Sequence, residues 1–254
     1  MRTDLTYRRM AKGITMPEGS RRVYCHHIRK TAGTSLFLSF MALGGEDPMV
    51  VWRRITESRL QRTTSATYGF ASNNRSVLAE GAYFFGRSHR PAAQQPLAPG
   101  TFTVTILRDP VERVHSYFDY LAAGDDPGMP GRVSRRERAM VRDGFDSFLD
   151  RVPVDSLLNQ LAMFSERLEV SEAADRIGAC SSVFFTEDFS AGLAGLGHRL
   201  ALPLVPYRAR VTSERSTLTE SQRERLRARL EPEYELIAML DHAGIVSRGS
   251  AGSA

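Results

Sequence analysis

Cysteine is scarce: Cys25 and Cys180 are the only two in 254 residues. Two thiols, each beside an apolar segment, exclude a disulfide framework, and no Cys or His spacing matches a metal-ligand pattern. Both are expected as buried free thiols in a reducing compartment, which points to the cytoplasm. Long apolar runs are missing too. No stretch approaches the ~18 residues of a membrane span. Residues 1–21 are polar and basic with no hydrophobic core segment, so a flexible arm is expected there rather than a secretory signal. Lysine is the third shortage. Of 34 basic residues only Lys12 and Lys30 are lysine. A lysine kept against a background of arginine is a candidate for work that needs a compact ammonium, not a planar guanidinium.

What is present is ordinary for a folded protein. A composition of 42% hydrophobic and 25% charged residues supports a real core and excludes general disorder. The net charge of +5 suggests an anionic partner. No patch interleaves arginine with aromatic residues and no nucleic-acid motif appears, so a polyanionic small ligand is expected in place of nucleic acid.

Strand candidates alternate with helix candidates. Strands are expected at residues 22–28, 82–86, 101–107 and 182–186. Helices are expected over 34–43, around 50–60, from Pro110 through Leu121, at 145–149, 156–168, 171–177 and 189–200, and over 219–240 with a reset at Pro232. Ser72-Asn73-Asn74 and the 124–132 stretch read as loops, and 247–254 as a disordered tail. One domain over 22–246 follows, of α/β class, with a parallel sheet covered by helices on both faces. Ligands of such sheets bind at the carboxyl ends of the strands, so the turns after Ile28, Phe85 and Leu107 are expected on one rim.

The first of these turns is Arg29-Lys30-Thr31-Ala32-Gly33-Thr34-Ser35. Small residues between a strand and a helix let successive backbone N–H groups converge on an anion. Thr31, Thr34 and Ser35 add hydroxyls and Lys30 a point charge. A helix cap beside a surface lysine would use the same residue types. A Walker loop is excluded, because Tyr24 and Arg29 stand where it needs glycine. The second turn, Leu107-Arg108-Asp109-Pro110, leads into a helix. Arg108 is able to fork two phosphate oxygens, and Ser116, about two helical turns on, shares its face. A structural ion pair of Arg108 with Asp109, or one made by Arg113, is the competing use.

His27-Ile28-Arg29-Lys30-Thr31-Ala32-Gly33-Thr34-Ser35-Leu36 resembles the 5′-phosphosulfate loop of the carbohydrate-type sulfotransferases, the group that includes heparan sulfate 2-O-sulfotransferase. Their loop commonly reads H-I-P-K-T-A-G-T-S-L, and this chain departs from it at Arg29, where proline is usual. The stretch from Arg108 to Ser116 resembles the same family's R-D-P-V-E-R-x-x-S motif. The two occur in the family's order. Fainter likeness runs through Leu158-Asn159-Gln160-Leu161, through Val183 to Phe189, and through Arg210 to Ser216, which sits where the family carries an adenosine-side loop. The resemblance implies a P-loop NTPase-like sulfotransferase fold and 3′-phosphoadenosine-5′-phosphosulfate (PAPS) as co-substrate, without a metal. It implies residues 29–35 around the 5′-phosphosulfate, Arg108 and Ser116 on the 3′-phosphate, and Arg210 near the nucleotide.

Transfer of a sulfuryl group to a hydroxyl also needs a base. Of six histidines, His26, His27, His89, His115, His198 and His242, only His89 follows a short strand on the ligand rim. Its surroundings, Gly86-Arg87-Ser88-His89-Arg90-Pro91, resemble the family's G-H-x-P turn with extra residues, and the resemblance implies His89 as base. His27, bordering the first turn, and Glu80 are the alternatives. The expected activity is sulfuryl transfer from PAPS to a sugar or small-molecule hydroxyl, with the 46–80 and 124–136 segments forming the acceptor pocket. A nucleotide-dependent kinase on a related fold and a non-catalytic cofactor-binding protein are the other readings of the same residues.

Overall fold

Among the described residues six strands form one sheet in the order β2-β3-β4-β1-β5-β6: β1 Arg22–His26, β2 Arg62–Thr64, β3 Gly69–Ser72, β4 Phe85–Ser88, β5 Thr101–Leu107 and β6 Ser182–Phe185. The computed structural model describes residues 16–125, 133–207 and 215–246. All neighbouring strands are parallel except the edge pair β2–β3. β1 sits in the middle, and all five of its residues are buried, as a parallel strand covered on both faces requires.

Helices occupy both faces. Those before β5 are α1 Gly33–Ala42, α2 Pro48–Glu57 and α3 Arg75–Glu80. Between β5 and β6 come α4 Pro110–Ala123, α5 Arg135–Val141, α6 Gly144–Arg151, α7 Val154–Leu157, α8 Asn159–Phe164 and α9 Val170–Gly178. The last described helices are α10 Phe189–Leu200, α11 Glu220–Arg229 and α12 Glu231–His242. Alternation along the strands divides the core. Val23 and Cys25 of β1 and Phe102, Val104 and Ile106 of β5 point to one face, where Leu36, Phe37 and Phe40 of α1 pack. Leu107 points to the other, against Val114, Phe148, Leu161 and Leu236.

Four expected strands and most expected helices are present, with some corrections. The strand placed at 82–86 is shifted to Phe85–Ser88, and β2, β3, α3 and α5 were not expected. The 156–168 helix is two short helices broken at Leu158. Part of the expected arm is docked: Met16 is buried, and the Arg21 N–H donates to the Gly100 carbonyl at 3.0 Å. Residues 1–15 and 247–254 lie outside the described residues. Both cysteines are free, Cys25 buried and Cys180 half-buried, and burial pushes each thiol up to about 12. No helix among the described residues is long and apolar enough to cross a membrane.

The strand order sets the site. From β1 the chain leaves toward β3 and β4 on one side, whereas from β5 it leaves toward β6 on the other. Adjacent strands whose connections part in this way open a crevice at their carboxyl ends. The two turns singled out by sequence flank that crevice.

Candidate functional site

The turn after β1 is held in a backbone conformation that L-residues avoid. Lys30 and Ala32 both have positive φ, 69° and 61°, at a cost of order 1–3 kcal/mol each. Left-handed residues set among right-handed ones turn successive N–H groups toward one side, the arrangement that receives anions. Local bonds hold this shape. Thr31 Oγ1 donates to the Ile28 carbonyl (3.0 Å), and the Arg29 N–H donates to Asn159 Oδ1 (3.0 Å). The Thr31 hydroxyl is therefore committed inside the loop and buried, not offered to a ligand as the sequence suggested. Gly33 opens α1 under the ring of His27. A Cβ there would lie 2.1 Å from His27 Cδ2, so only glycine admits this approach. Lys30 lays its ammonium 4.6 Å above the centre of the Tyr120 ring on α4.

The turn after β5 is built differently. Asp109 caps α4 by accepting from the Glu112 N–H (3.0 Å), and Pro110 begins the helix with its φ already set. Arg113 turns inward, where it and Glu233 are fully buried 3.7 Å apart. The competing structural use thus falls to Asp109 and Arg113. Arg108 instead reaches across the crevice and donates from Nη1 to the Lys30 carbonyl at 3.1 Å. Its own backbone is gripped by Gln160, which accepts from the Arg108 N–H (2.9 Å) and donates to its carbonyl (3.0 Å).

Between the turns lies a cavity of about 490 Å³, a size suited to a nucleotide-scale ligand. Arg29, Lys30, Ala32, Gly33, Thr34 and Ser35 line it from the first turn, Arg108 and Ser116 from the second, and His89 from the end of β4. Every expected site residue is accounted for except Arg210, which lies outside the described residues. Just beyond it, Arg215 docks on α4 through Glu112 (2.5 Å) and His115 Nδ1 (3.0 Å).

His89 has the tautomer a base requires. Its Nδ1 lies 2.7 Å from the His27 carbonyl oxygen. That contact assigns the proton to Nδ1 and leaves Nε2 as the acceptor. Burial within the cavity walls lowers its proton affinity below the ordinary histidine value, and the charges of Arg87 and Arg29 add to the effect. By accessible surface His89 is exposed, on the wall of the cavity, so solvent screens part of this effect. His27 is placed for another purpose. It is buried against Gly33, its ring is 4.2 Å from that of His89, and its Nδ1 faces the Arg87 guanidinium at 3.0 Å. Glu80 is ruled out by position. It ends α3 next to Gly81, whose carbonyl accepts from Arg22 at the amino end of β1, on the opposite rim of the sheet. His26 is buried against Tyr24 and Phe164, His115 is tied to Ser216, and His198 and His242 are exposed on α10 and α12.

Sequence reasoning missed Arg87. This buried cation lines the cavity 3.3 Å from Thr34 Oγ1, with its guanidinium 4.3 Å above the Phe37 ring. Phe85 and Arg87 share one face of β4, and carrying the period-two pattern two residues further would have found it. The expected acceptor segment 46–80 contributes Trp52, Ile55, Thr56, Gln61, Ser72 and Asn73. In the 124–136 segment residues 126–132 lie outside the described residues, and the cavity is met just after it, by Glu137. Glu137 accepts from Arg29 Nη1 at 2.9 Å and from the Tyr117 hydroxyl at 3.3 Å. Arg29 thus spans from the first turn to α5.

Comparison of the chain with family models and with curated proteins finds no match in either.

Proposed function

We propose that the protein is a PAPS-dependent sulfotransferase acting on a hydroxyl acceptor, on a fold of the P-loop-like sulfotransferase type. One observation carries the reading. Two turns far apart in sequence, each resembling one anion-binding motif of that family, meet across a single cavity and are joined by the Arg108–Lys30 bond. The donor set suits the co-substrate: converging backbone N–H groups and Lys30 for the 5′-phosphosulfate, Arg108 and Ser116 for a second phosphate.

In the proposed reaction the acceptor oxygen attacks sulfur opposite the bridging oxygen. The new S–O bond forms as the bond from sulfur to that oxygen breaks. The acceptor proton passes to His89 Nε2, and the electron pair leaves with the phosphate of 3′,5′-bisphosphoadenosine. Lys30 offsets the charge growing on that phosphate, which is how a fixed cation lowers such a barrier. Arg87, beside Thr34, adds a second fixed positive charge on the acceptor side.

Labelled PAPS with a panel of sugar and small-molecule hydroxyl acceptors, with and without EDTA, tests the activity. The expected products are a labelled sulfate ester and bisphosphoadenosine, in equal amounts in both arms. Phosphoryl transfer from a nucleoside triphosphate that stops with EDTA would make the protein a kinase. Turnover-free binding of bisphosphoadenosine would leave a cofactor-binding protein.

Binding has its own expected result. Bisphosphoadenosine raises the Tm by stabilising the native state. Arg108→Ala removes most of that rise, and adenosine 5′-phosphosulfate, which lacks the 3′-phosphate, gives a small rise with the wild type. Equal stabilisation by the two nucleotides would remove Arg108 from the 3′-phosphate.

A further inference from the structure

We propose that Asn159 and Gln160 act together as a clamp that presets the spacing between the two anion-binding turns, so that a ligand carrying two anionic groups is held better than the sum of its parts. The inference rests on the reading of the cavity as a site for a bisphosphorylated nucleotide. It concerns residues that touch neither anion and act through backbone.

The chain breaks between α7 and α8 at Leu158, whose φ of −97° and ψ of 48° are not helical. The next two residues face the carboxyl ends of β1 and β5. Asn159 accepts from the Arg29 N–H, fixing the start of the first turn. Gln160, fully buried, pairs with both backbone groups of Arg108. The reason a side chain is needed there lies in the sheet. The β5–β6 ladder ends with the Thr186 N–H on the Leu107 carbonyl at 2.8 Å. One residue later Arg108 has no neighbouring strand, and the Gln160 amide supplies the donor and acceptor that a strand would have supplied.

Gln160 is itself fixed. Its backbone N–H donates to Glu233 Oε1 (2.7 Å) and its amide nitrogen to Glu233 Oε2 (3.0 Å). Glu233 faces Arg113, and Arg113 donates to the Leu157 and Ser156 carbonyls just before the break. A fully buried glutamine held at every polar atom has one available orientation. Two adjacent residues therefore refer both turns to one point in the interior. When two anion sites hold one ligand, the second contact forms at an effective concentration set by how well their spacing matches it. Fixing that spacing raises affinity for the two-anion ligand alone.

Calorimetric titration of bisphosphoadenosine and of adenosine 5′-monophosphate into wild type, Asn159→Ala and Gln160→Leu tests the clamp, with melting curves to establish folding. The wild type is expected to favour the bisphosphate strongly. Each variant is expected to lose about tenfold or more toward the bisphosphate while binding the monophosphate within about twofold of wild type. Loss of the same factor toward both nucleotides, or toward neither, would overturn the clamp. Asn159 is half-buried and keeps the test decisive if Gln160→Leu fails to fold. A wild type that binds the two nucleotides equally would overturn the two-anion reading and the clamp with it.

Discussion

Lys30→Ala is expected to lower turnover by 10²–10³, the loss of about 2.7–4 kcal/mol that follows removal of one fixed electrostatic donor to a developing oxyanion. Lys30→Arg is expected to be nearly as poor, because a planar guanidinium does not replace a compact ammonium in a tight turn. A third variant separates function from folding. Lys30 has a φ of 69°, a conformation that glycine adopts freely and other L-residues adopt at about 1–2 kcal/mol. Lys30→Gly should therefore be inactive yet at least as resistant to thermal unfolding as the wild type. A stability cost paid for a particular side chain marks a residue retained for what it does. Full activity in Lys30→Arg, or in Lys30→Gly, would remove the lysine from the chemistry.

The second large effect belongs to His89. His89→Ala is expected to reduce turnover by about 10²–10⁴ with bisphosphoadenosine affinity nearly unchanged, because a base acts on the acceptor's proton and not on the nucleotide. The pH dependence follows from the sign of the shift. Burial first, then Arg87 and Arg29, make the imidazolium harder to form. The neutral, active form thus persists below the ordinary value of about 6.5, and the acid limb of kcat/KM should lie under it. Arg87→Gln should move the limb upward. The same shift acts on stability. Between the two ionisations the unfolded chain binds a proton that the folded chain does not, so this group's contribution is lost as pH falls below about 6.5 and is fully present above it. His27→Ala is the control. With its ring packed on Gly33 and bonded to Arg87, its loss should act through stability and cofactor affinity. An acid limb that vanishes in His27→Ala and survives in His89→Ala would assign the base to His27.

The parts of the site that were legible are those in which strand, turn and helix are contiguous. The 29–35 and 108–116 stretches carry their own punctuation: small residues, a capping aspartate, a proline at the first helical turn. β3 was not legible because Gly69-Phe70-Ala71-Ser72 has little β propensity, and its burial comes from β4 alongside. The end of β4 was misplaced for a related reason. Arg87 looks like a loop residue, and the rings of Phe37 and Trp52, the His27 nitrogen and the Thr34 hydroxyl make it tolerable inside. Two helices were legible and were passed over. Asn74 with Gly81 brackets α3, and Ser134 with Glu137 forms a capping box at the start of α5. The stretch around Gln160 was noticed for its faint resemblance, but its role was beyond reach, since its partners lie 52 and 73 positions away and nothing local announces them.

The departure at position 29 has a consequence for how this chain diverges from the loop it resembles. The residue there supplies a backbone N–H to Asn159 and a guanidinium to Glu137. Proline supplies neither. Proline at this position would leave the Asn159 oxygen without that N–H and Glu137 with only the Tyr117 hydroxyl and its capping-box partner Ser134. The residue at 29 and the acceptor at 159 should therefore depend on one another. Substituting proline into this loop alone is expected to damage it, whereas the same change made with Asn159 replaced as well is expected to be better tolerated. A double-mutant cycle of Arg29→Pro with Asn159→Ala, read by melting temperature, should give a non-zero interaction; strict additivity would mean that positions 29 and 159 are independent.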